Sequence, residues 1–596
     1  MAEYSKLVIT TKGQALQAKM IAGQGNVEFT KVCASSTQYQ ITQLEALTSL
    51  SNVKQTSLVS KVTRTNDVAI KIETAFSNAD LSAGYYMRTL GLYAVDPDAG
   101  EILYAVCIET SGNCYIPPYN GVTVTGAYIQ MYQTVGNADS VSLQVNPGAF
   151  ATIGDVQALE AEIADLKAFV GMTDDDIYGV EVDFKNKKFT RLAGAKNRSA
   201  GSGFDNIRAF GGRKRCIIDN SGNVIAYQGD VGFTTTGKLT QAVTVGEGEA
   251  AVTYPVGTIV QVMVEQPKFY YKVVPLVTEV REKGSIIRKG RWYVSDTPKA
   301  GFKLHPDFIV NGAENDYSYH SAFEGSLWDA SASAYVLDDS QVADFANDML
   351  CSIAGAKPIS GVNQNLTRGN TRKLAEKRGA GWEQLTVQAA CATEILMLIE
   401  YATFNTQTAI GAGAVNKADD GASNMAENTG ATVSLGNKSG AVVNDNGIQI
   451  VSYRGEENPW GNIWKWVDGL NRHINNGENI VYIADHGFTD DTGAAPYENA
   501  GISPSTKDGY VSAFCYSEEF DWLFIAGETS GDSNLPVGDY FWNYQANAWT
   551  VAVLGATWIG SSVAGGFCWY LSDVSGSRSR TISGRLVFHK KTAVAA

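Results

Sequence analysis

Asn458-Pro459-Trp460-Gly461-Asn462-Ile463-Trp464-Lys465-Trp466-Val467 is the most discriminating stretch of this chain. Asparagine before proline is a helix-start signal. Asn458 can cap free amides, and Pro459 suits a first helical position, where an N–H would be unpaired anyway. Trp460, Ile463, Trp464, Val467 and Leu470 then share one face at helical spacing. The stretch predicts a short helix fixed into a core by two tryptophans one turn apart. A tryptophan stripe of this kind reads as core rather than as a cofactor site.

The tryptophans also divide the chain. All 11 lie at or after Trp292, so the two halves of the 596 residues are expected to be built differently. The length exceeds one domain. A composition of 44% hydrophobic and 18% charged residues is that of a globular chain. A net charge of −15 argues against a general nucleic-acid or anionic-membrane binder. The opening Met-Ala-Glu-Tyr-Ser-Lys has no basic segment followed by an apolar run, so no signal peptide is expected. The longest apolar helical run, 389–404, is interrupted by Glu394 and Glu400 and is too short to cross a bilayer, so no membrane insertion is expected. The eight cysteines form no CxxC pair and are expected mostly as small buried residues.

Upstream, residues 1–150 read as an α+β module. Alternation at 68–72 predicts a strand, and 90–95 with 102–108 predicts a hairpin around Asp96-Pro97-Asp98-Ala99-Gly100. Helical character appears near 7–22 and 43–50. Residues 151–171 show heptad spacing, with Val156, Ile163 and Val170 at one seam position and Leu159 and Leu166 at the other. Two readings stand: a short coiled coil joining protomers, or an amphipathic linker helix. Valine and isoleucine opposite leucine locally favour a dimer. A hairpin at 180–184 and 189–192 is followed by a glycine-bearing connector at 193–203, and residues 172–203 are read as this hairpin and linker. Residues 204–596 then form one large domain, with strands at 259–264 and 269–274 and helices at 341–353 and 387–404. No repeat of 20–50 residues appears, against a solenoid. The fold class is multidomain α+β.

The end of the chain has its own composition. From 540 to 588, 10 of 49 residues are aromatic, and no Lys or Glu occurs between Glu528 and Lys590. Rigid aromatics among Ser and Gly are typical of binding loops, which gain contact area at low entropic cost. A tryptophan-rich core with Ser/Gly turns would have the same composition. Within 567–572 a period of two separates Phe567, Trp569 and Leu571 from Cys568, Tyr570 and Ser572, and a strand sends such sets to opposite faces.

Enzymatic signatures are absent: there is no G-x-S-x-G elbow, H-E-x-x-H or Walker A motif. Asp485-His486, Glu456-Glu457 and Glu518-Glu519 are adjacent residues that a strand would point apart, and the glutamate pairs read as solvated turns. Calcium-lectin Glu-Pro-Asn and Trp-Asn-Asp motifs are missing. No catalytic residue, metal site or cofactor is expected.

Two resemblances add to this reading. Arg88-Thr89-Leu90-Gly91-Leu92-Tyr93 and its hairpin resemble the N-terminal domains of phage tail fibre proteins, which attach fibres to the baseplate. Gly461-Asn462-Ile463-Trp464-Lys465-Trp466-Val467 resembles the signature of formylglycine-generating-enzyme-like domains, whose fold is a variant of the C-type lectin fold. Lys465 stands where that family has Glu, which argues against enzyme-type chemistry. The variable proteins of diversity-generating retroelements, phage major tropism determinants among them, share that fold. Their C-termini resemble Gly566-Phe567-Cys568-Trp569-Tyr570-Leu571 followed by Ser575-Gly576-Ser577-Arg578-Ser579-Arg580 and Gly584-Arg585-Leu586. That resemblance makes Trp558, Phe567, Trp569, Leu571, Ile582, Arg585 and Leu586 framework. It makes Trp542, Asn543, Tyr544, Thr557, Ile559, Ser561, Ser562, Cys568, Tyr570, Ser572, Asp573, Ser577, Ser579 and Thr581 the receptor-binding set.

The resemblances together imply a phage tail fibre receptor-binding protein, made in the host cytoplasm and carried on the virion. Residues 1–150 would attach it to baseplate or tail proteins, 151–171 would join a homotrimer, and a C-type-lectin-like domain over 204–596 would bind a protein or glycan receptor on the host surface. Tail fibres are usually trimers, which outweighs the dimer preference of so short a coil. The alternatives are a virion enzyme degrading envelope glycans and a purely structural tail component.

Overall fold

The computed structural model describes residues 4–22, 27–66, 69–112, 114–119, 125–134, 145–149, 176–532 and 539–590. The chain is α+β and separates into two compact units, Met1–Val156 and Gln157–Ala596. The heptad segment 151–171 lies outside the described residues.

The first unit is built on two antiparallel sheets. One has the order Val8–Ile9, Gly100–Ile108, Thr89–Asp96, Glu28–Ser35, Val53–Leu58; the other has Val145–Ala149, Thr125–Thr134, Ala69–Ser77, Lys61–Asn66. The expected hairpin forms, with Leu90 opposite Cys107 and Leu92 opposite Ala105. Its turn is held by Asp96, whose carboxylate accepts from the amides of Asp98 and Ala99. Helix Thr11–Ile21 starts on the Thr10 hydroxyl and packs so closely that a Cβ at Gly13 would lie 2.1 Å from the Tyr104 carbonyl oxygen. Of the expected 43–50 helix only a 3-10 segment, Ile41–Ala46, is present. Leu16, Leu90, Leu92, Ile72, Phe76 and Ile129 make a core shared by both sheets.

In the second unit the hairpin Tyr178–Asp183 and Lys188–Ala193 pairs onto Ser285–Ser295 in a seven-stranded sheet. The expected hairpin therefore forms, and the connector after it lies within the same unit. Val180 and Val182 are core residues, and the 194–203 turn is tied by Arg198 to the Gly194 and Gly203 carbonyls. The expected boundary at 203/204 falls inside this unit.

A six-stranded sheet runs Val224–Tyr227, Lys214–Ile218, Gln261–Pro267, Tyr317–Ser321, Leu586–Phe588, Trp382–Gln384. Another runs Glu498–Asn499, Glu478–Ile483, Trp464–Asn475, Ala548–Leu554, Trp569–Asp573, with Ile582–Ser583 joining Trp464–Asn475 in parallel. Helix Val387–Tyr401 is buried from Val387 to Glu400, as befits a helix apolar on all sides. The Thr386 hydroxyl caps its start, and Ala402 in the left-handed region (φ 52°) ends it.

Two expected helices are absent. At 458–467, Asn458, Gly461 and Asn462 take φ of 49°, 76° and 62°, which breaks any right-handed turn. Both asparagine side chains donate to Glu324 instead, and strand Trp464–Asn475 follows. Period two, not 3.6, brings Trp464 and Trp466 into one cluster with Val551, Val553 and Ile582. At 341–353, the Asp344 carboxylate accepts from Ala346 N and Asn347, while Asp348 accepts from Asp344 N and Ala330 N. These short side chains offer amides a local alternative to the helix.

Candidate functional site

The strand Trp569–Asp573 lies at the edge of its sheet, and residues 540–544 run alongside it. Trp542 donates its amide to the Trp569 carbonyl at 2.9 Å and accepts from the Leu571 amide at 2.7 Å. Trp569 and Leu571 face inward and are fully buried; Tyr570, Ser572 and Asp573 are half-buried. The predicted alternation holds from Trp569 onward.

This pairing assembles a row of half-buried rings. Tyr510 meets Tyr540 at 5.0 Å between centroids, Tyr540 meets Trp542 at 4.7 Å, Trp542 meets Tyr570 at 5.9 Å, and Tyr570 meets Trp464 at 5.7 Å. Tyr544 projects beside the row at 68% exposure. The Asp508 carboxylate accepts from the amides of Asn543 and Tyr544, both at 2.7 Å, fixing the loop that carries them. The Ser572 hydroxyl donates to the Trp542 carbonyl at 3.1 Å, and the Tyr510 hydroxyl lies 3.5 Å from that of Ser562. Burial raises the Asp573 carboxyl above its ordinary value, while a hydrogen bond from Ser577 opposes the shift. Burial likewise raises the Tyr570 and Tyr540 phenols.

Behind the row, Arg472 is fully buried and spans the two chain segments. Its guanidinium donates to the carbonyls of Asn543 at 2.7 Å and Leu571 at 3.1 Å, and to the Asn479 side chain at 2.7 Å. Burial lowers its pKa to about 10. The indole of Trp569 donates to Glu394 at 2.7 Å, on the central helix; burial holds that carboxyl well above the ordinary range, which the bond from Trp569 only partly offsets. Arg580 pairs with Asp419 at 2.6 Å and covers the Trp558 ring at 5.5 Å. Arg585 donates to the carbonyls of Ser321, Glu457 and Asn458.

The receptor-binding set thus divides. Trp542, Tyr544, Ser562, Tyr570, Ser572, Asp573 and Ser577 meet around the aromatic row. Ser579 and Thr581 bond each other at 2.8 Å, and the Thr581 carbonyl accepts from the Trp464 amide, continuing the face past Trp464. Ile559 and Ser561 are exposed on the turn after Trp558, where the Ser561 amide donates to Val415. Asn543, Thr557 and Cys568 are buried, contrary to the expectation. Cys568 precedes the strand, in a turn closed by its own amide on Gly565, so the alternation does not reach it. The Thr557 hydroxyl caps the Ile559 amide. Asn543 offers its backbone to Asp508 and Arg472, and its side chain turns inward. All seven framework residues are buried. No local pattern in the sequence singles out Tyr510, Asp508, Arg472 or the ring role of Trp464; Gly509 (φ 156°), where a Cβ would meet the Thr529 carbonyl at 2.4 Å, marks the position before Tyr510.

Other expectations need correction. Glu456 and Glu457 are not solvated: Glu456 pairs with Arg213 at 2.9 Å, and Glu457 accepts from the Gly430 and Thr432 amides. His486 and Asp485 do meet, at 2.5 Å, because they sit in a bend rather than a strand. Lys465 is buried 3.2 Å from Glu324, and burial lowers its pKa to about 8 against that carboxylate's pull. All eight cysteines are buried and unpaired. Among the described residues no group of three or more His, Cys, Asp or Glu is placed to hold a metal, and no helix is long and apolar enough to cross a membrane.

No protein-family model matches this chain, and no curated protein sequence matches it.

Proposed function

We propose that this chain is the receptor-binding protein of a phage tail fibre, and that the face along Tyr510, Tyr540, Trp542, Tyr570 and Trp464 grips the host surface. The observation that carries the reading is the continuous row of half-buried rings, fringed by exposed Tyr544 and Ser562. Rigid rings on a fixed strand lose little entropy on docking, and the hydroxyls around them adapt to the partner. In this reading the second unit is a C-type-lectin-like display domain, and the first attaches to baseplate or tail proteins. A homotrimer multiplies weak single contacts through effective concentration. Tyr544, Ile559, Ser561, Ser562, Tyr570, Ser572, Asp573, Ser577, Ser579 and Thr581 could be exchanged at small cost to the core, as retroelement diversification requires; Asn543, Thr557 and Cys568 could not.

The test is binding of labelled protein to a panel of bacterial strains. Wild type should bind at least one strain. Joint replacement Tyr544→Ala, Tyr570→Ala and Asp573→Ala should abolish binding while oligomeric state and thermal transition stay unchanged. Undiminished binding by a folded triple variant would overturn the reading.

A further inference from the structure

A concave site lies in the same unit, built from elements the aromatic face does not use. It is a cleft of about 890 Å³ between the strand Tyr317–Ser321, the turn after Lys214–Ile218, and the small hairpin Val243–Val245 with Val252–Tyr254. Tyr317 and Tyr319 fall on one side of their strand by period two, 6.5 Å apart between centroids, and Tyr254 comes from the hairpin. Each ring is held. The Tyr319 hydroxyl donates to buried Glu265 at 3.1 Å, the Tyr254 hydroxyl donates to Asp219 at 3.2 Å, and the Arg208 guanidinium lies over the Tyr317 ring at 5.9 Å. Gly222 is obligatory in the wall: it takes φ 79°, and a Cβ there would stand 2.0 Å from the Phe588 ring.

Asn315 also lines the cleft. It is 6% exposed, and its Nδ2 has no hydrogen-bond partner among the described residues. A buried amide donor left unbonded is costly unless a ligand or solvent completes it. The charges around it narrow the ligand. The carboxylates of Asp219, Glu314 and Asp316 disfavour an anion. A cation is disfavoured too: Asp219 already accepts from four donors, Asp316 is paired with Lys268 at 2.7 Å, and Lys590 lines the same cleft. A purely apolar ligand would leave Asn315 and Glu314 unanswered. Aromatic faces beside carboxylate and amide groups suit a molecule with apolar C–H faces and many hydroxyls.

We propose that this cleft binds a neutral oligosaccharide of about two or three sugar units, with sugar rings against Tyr317 and Tyr254 and hydroxyls on Asn315 and Glu314. It is a glycan site separate from the aromatic face and stands whether or not that face binds a receptor.

The experiment is isothermal titration of the full chain with neutral di- and trisaccharides of glucose, galactose, mannose and N-acetylglucosamine, beside choline and glucose 6-phosphate. At least one neutral sugar should bind saturably and more tightly than choline or the phosphorylated sugar. Tyr317→Ala and Asn315→Ala should each weaken it about tenfold or more, Tyr317→Phe should keep it, and Tyr544→Ala should leave it unmoved. Tyr317 sits at the rim, so its alanine variant is expected to keep the wild-type melting transition. If that transition falls, the Asn315→Ala and Tyr317→Phe pair decides the matter. Absence of saturable binding to every neutral sugar, tighter binding of choline or the phosphate, or full binding by folded Tyr317→Ala or Asn315→Ala would overturn the proposal.

Discussion

The two units handle charge in opposite ways. In the first, Lys19–Asp96, Lys31–Glu101 and Lys71–Glu73 keep their lysines half-buried, with part of each side chain in solvent, and the shared core is apolar. In the second, Arg213, Arg215, Arg368, Arg472 and Arg585 are almost wholly buried. Most of these guanidiniums reach backbone carbonyls: Arg215 takes Gly455 and Thr432, Arg368 takes Val467 and Leu470, and Arg472 takes Asn543 and Leu571. The reason lies in the backbone. Two regular sheets pair their own amides and carbonyls. In the second unit a bulge between Val467 and Asn471, the sheet edge at Leu571 and irregular stretches such as Gly455 and Asn543 leave carbonyls inside, and a buried carbonyl needs a donor. Arginine supplies five donors in a rigid fork. Arginines thus serve the second unit as internal caps, which lets the loops bearing the aromatic face keep one conformation.

The largest test of this contrast is Arg472→Met, which keeps bulk and removes the donors. It should cost about 4 kcal/mol, because the Asn543, Leu571 and Ser505 carbonyls and the Asn479 amide oxygen lose a donor. Tryptophan fluorescence reads the second unit alone, since every tryptophan lies at or after Trp292. An unchanged denaturation midpoint would break the comparison.

A smaller effect concerns pH. Burial alone would depress the pKa of His589, but the Asp307 carboxylate, hydrogen-bonded at 3.2 Å, and the Glu383 carboxylate, 3.5 Å away, outweigh it and raise the value to about 10 from 6.5. The folded unit therefore binds a proton that the unfolded chain releases. Its stabilisation is full below about pH 6.5 and is lost as pH rises towards about 10. Denaturation followed by tryptophan fluorescence should show that decline between about pH 6.5 and 8, below the range in which buried Lys465 gives up its proton and opposes it, and His589→Gln should flatten it. A variant with the wild-type slope would remove His589 from the account.

The smallest expected effect is in the first unit. Lys31→Ala breaks a solvent-screened pair and should cost less than about 1 kcal/mol, less still in high salt. Circular dichroism melting of the variant checks it, and a loss rivalling that of Arg472→Met would erase the difference between the units.

Local patterns were legible where local forces decide. The hairpin around Asp96, the hairpin 178–193 and the core helix after Thr386 follow from alternation, turn residues and a cap. The stretch 458–467 was not, because Asn458 and Asn462 obey Glu324, more than a hundred residues away, rather than their neighbours. The same limit applies at the site. Period two placed Tyr570 and Ser572 outward and Trp569 and Leu571 inward, but it failed at Cys568, where the strand has not begun.

By itself, the sequence determined the α+β class, the concentration of aromatic residues near the chain end and the split of that strand into two faces. These depend on composition and on spacing within a few residues. Only the tertiary structure decided that Tyr510 and Trp464 complete the row, that Arg472 and Asp508 fix it, and that a tyrosine cleft forms around Asn315. Those groups are brought together by strand pairing and buried hydrogen bonds between distant segments, and no local periodicity records which carbonyl a remote side chain will meet.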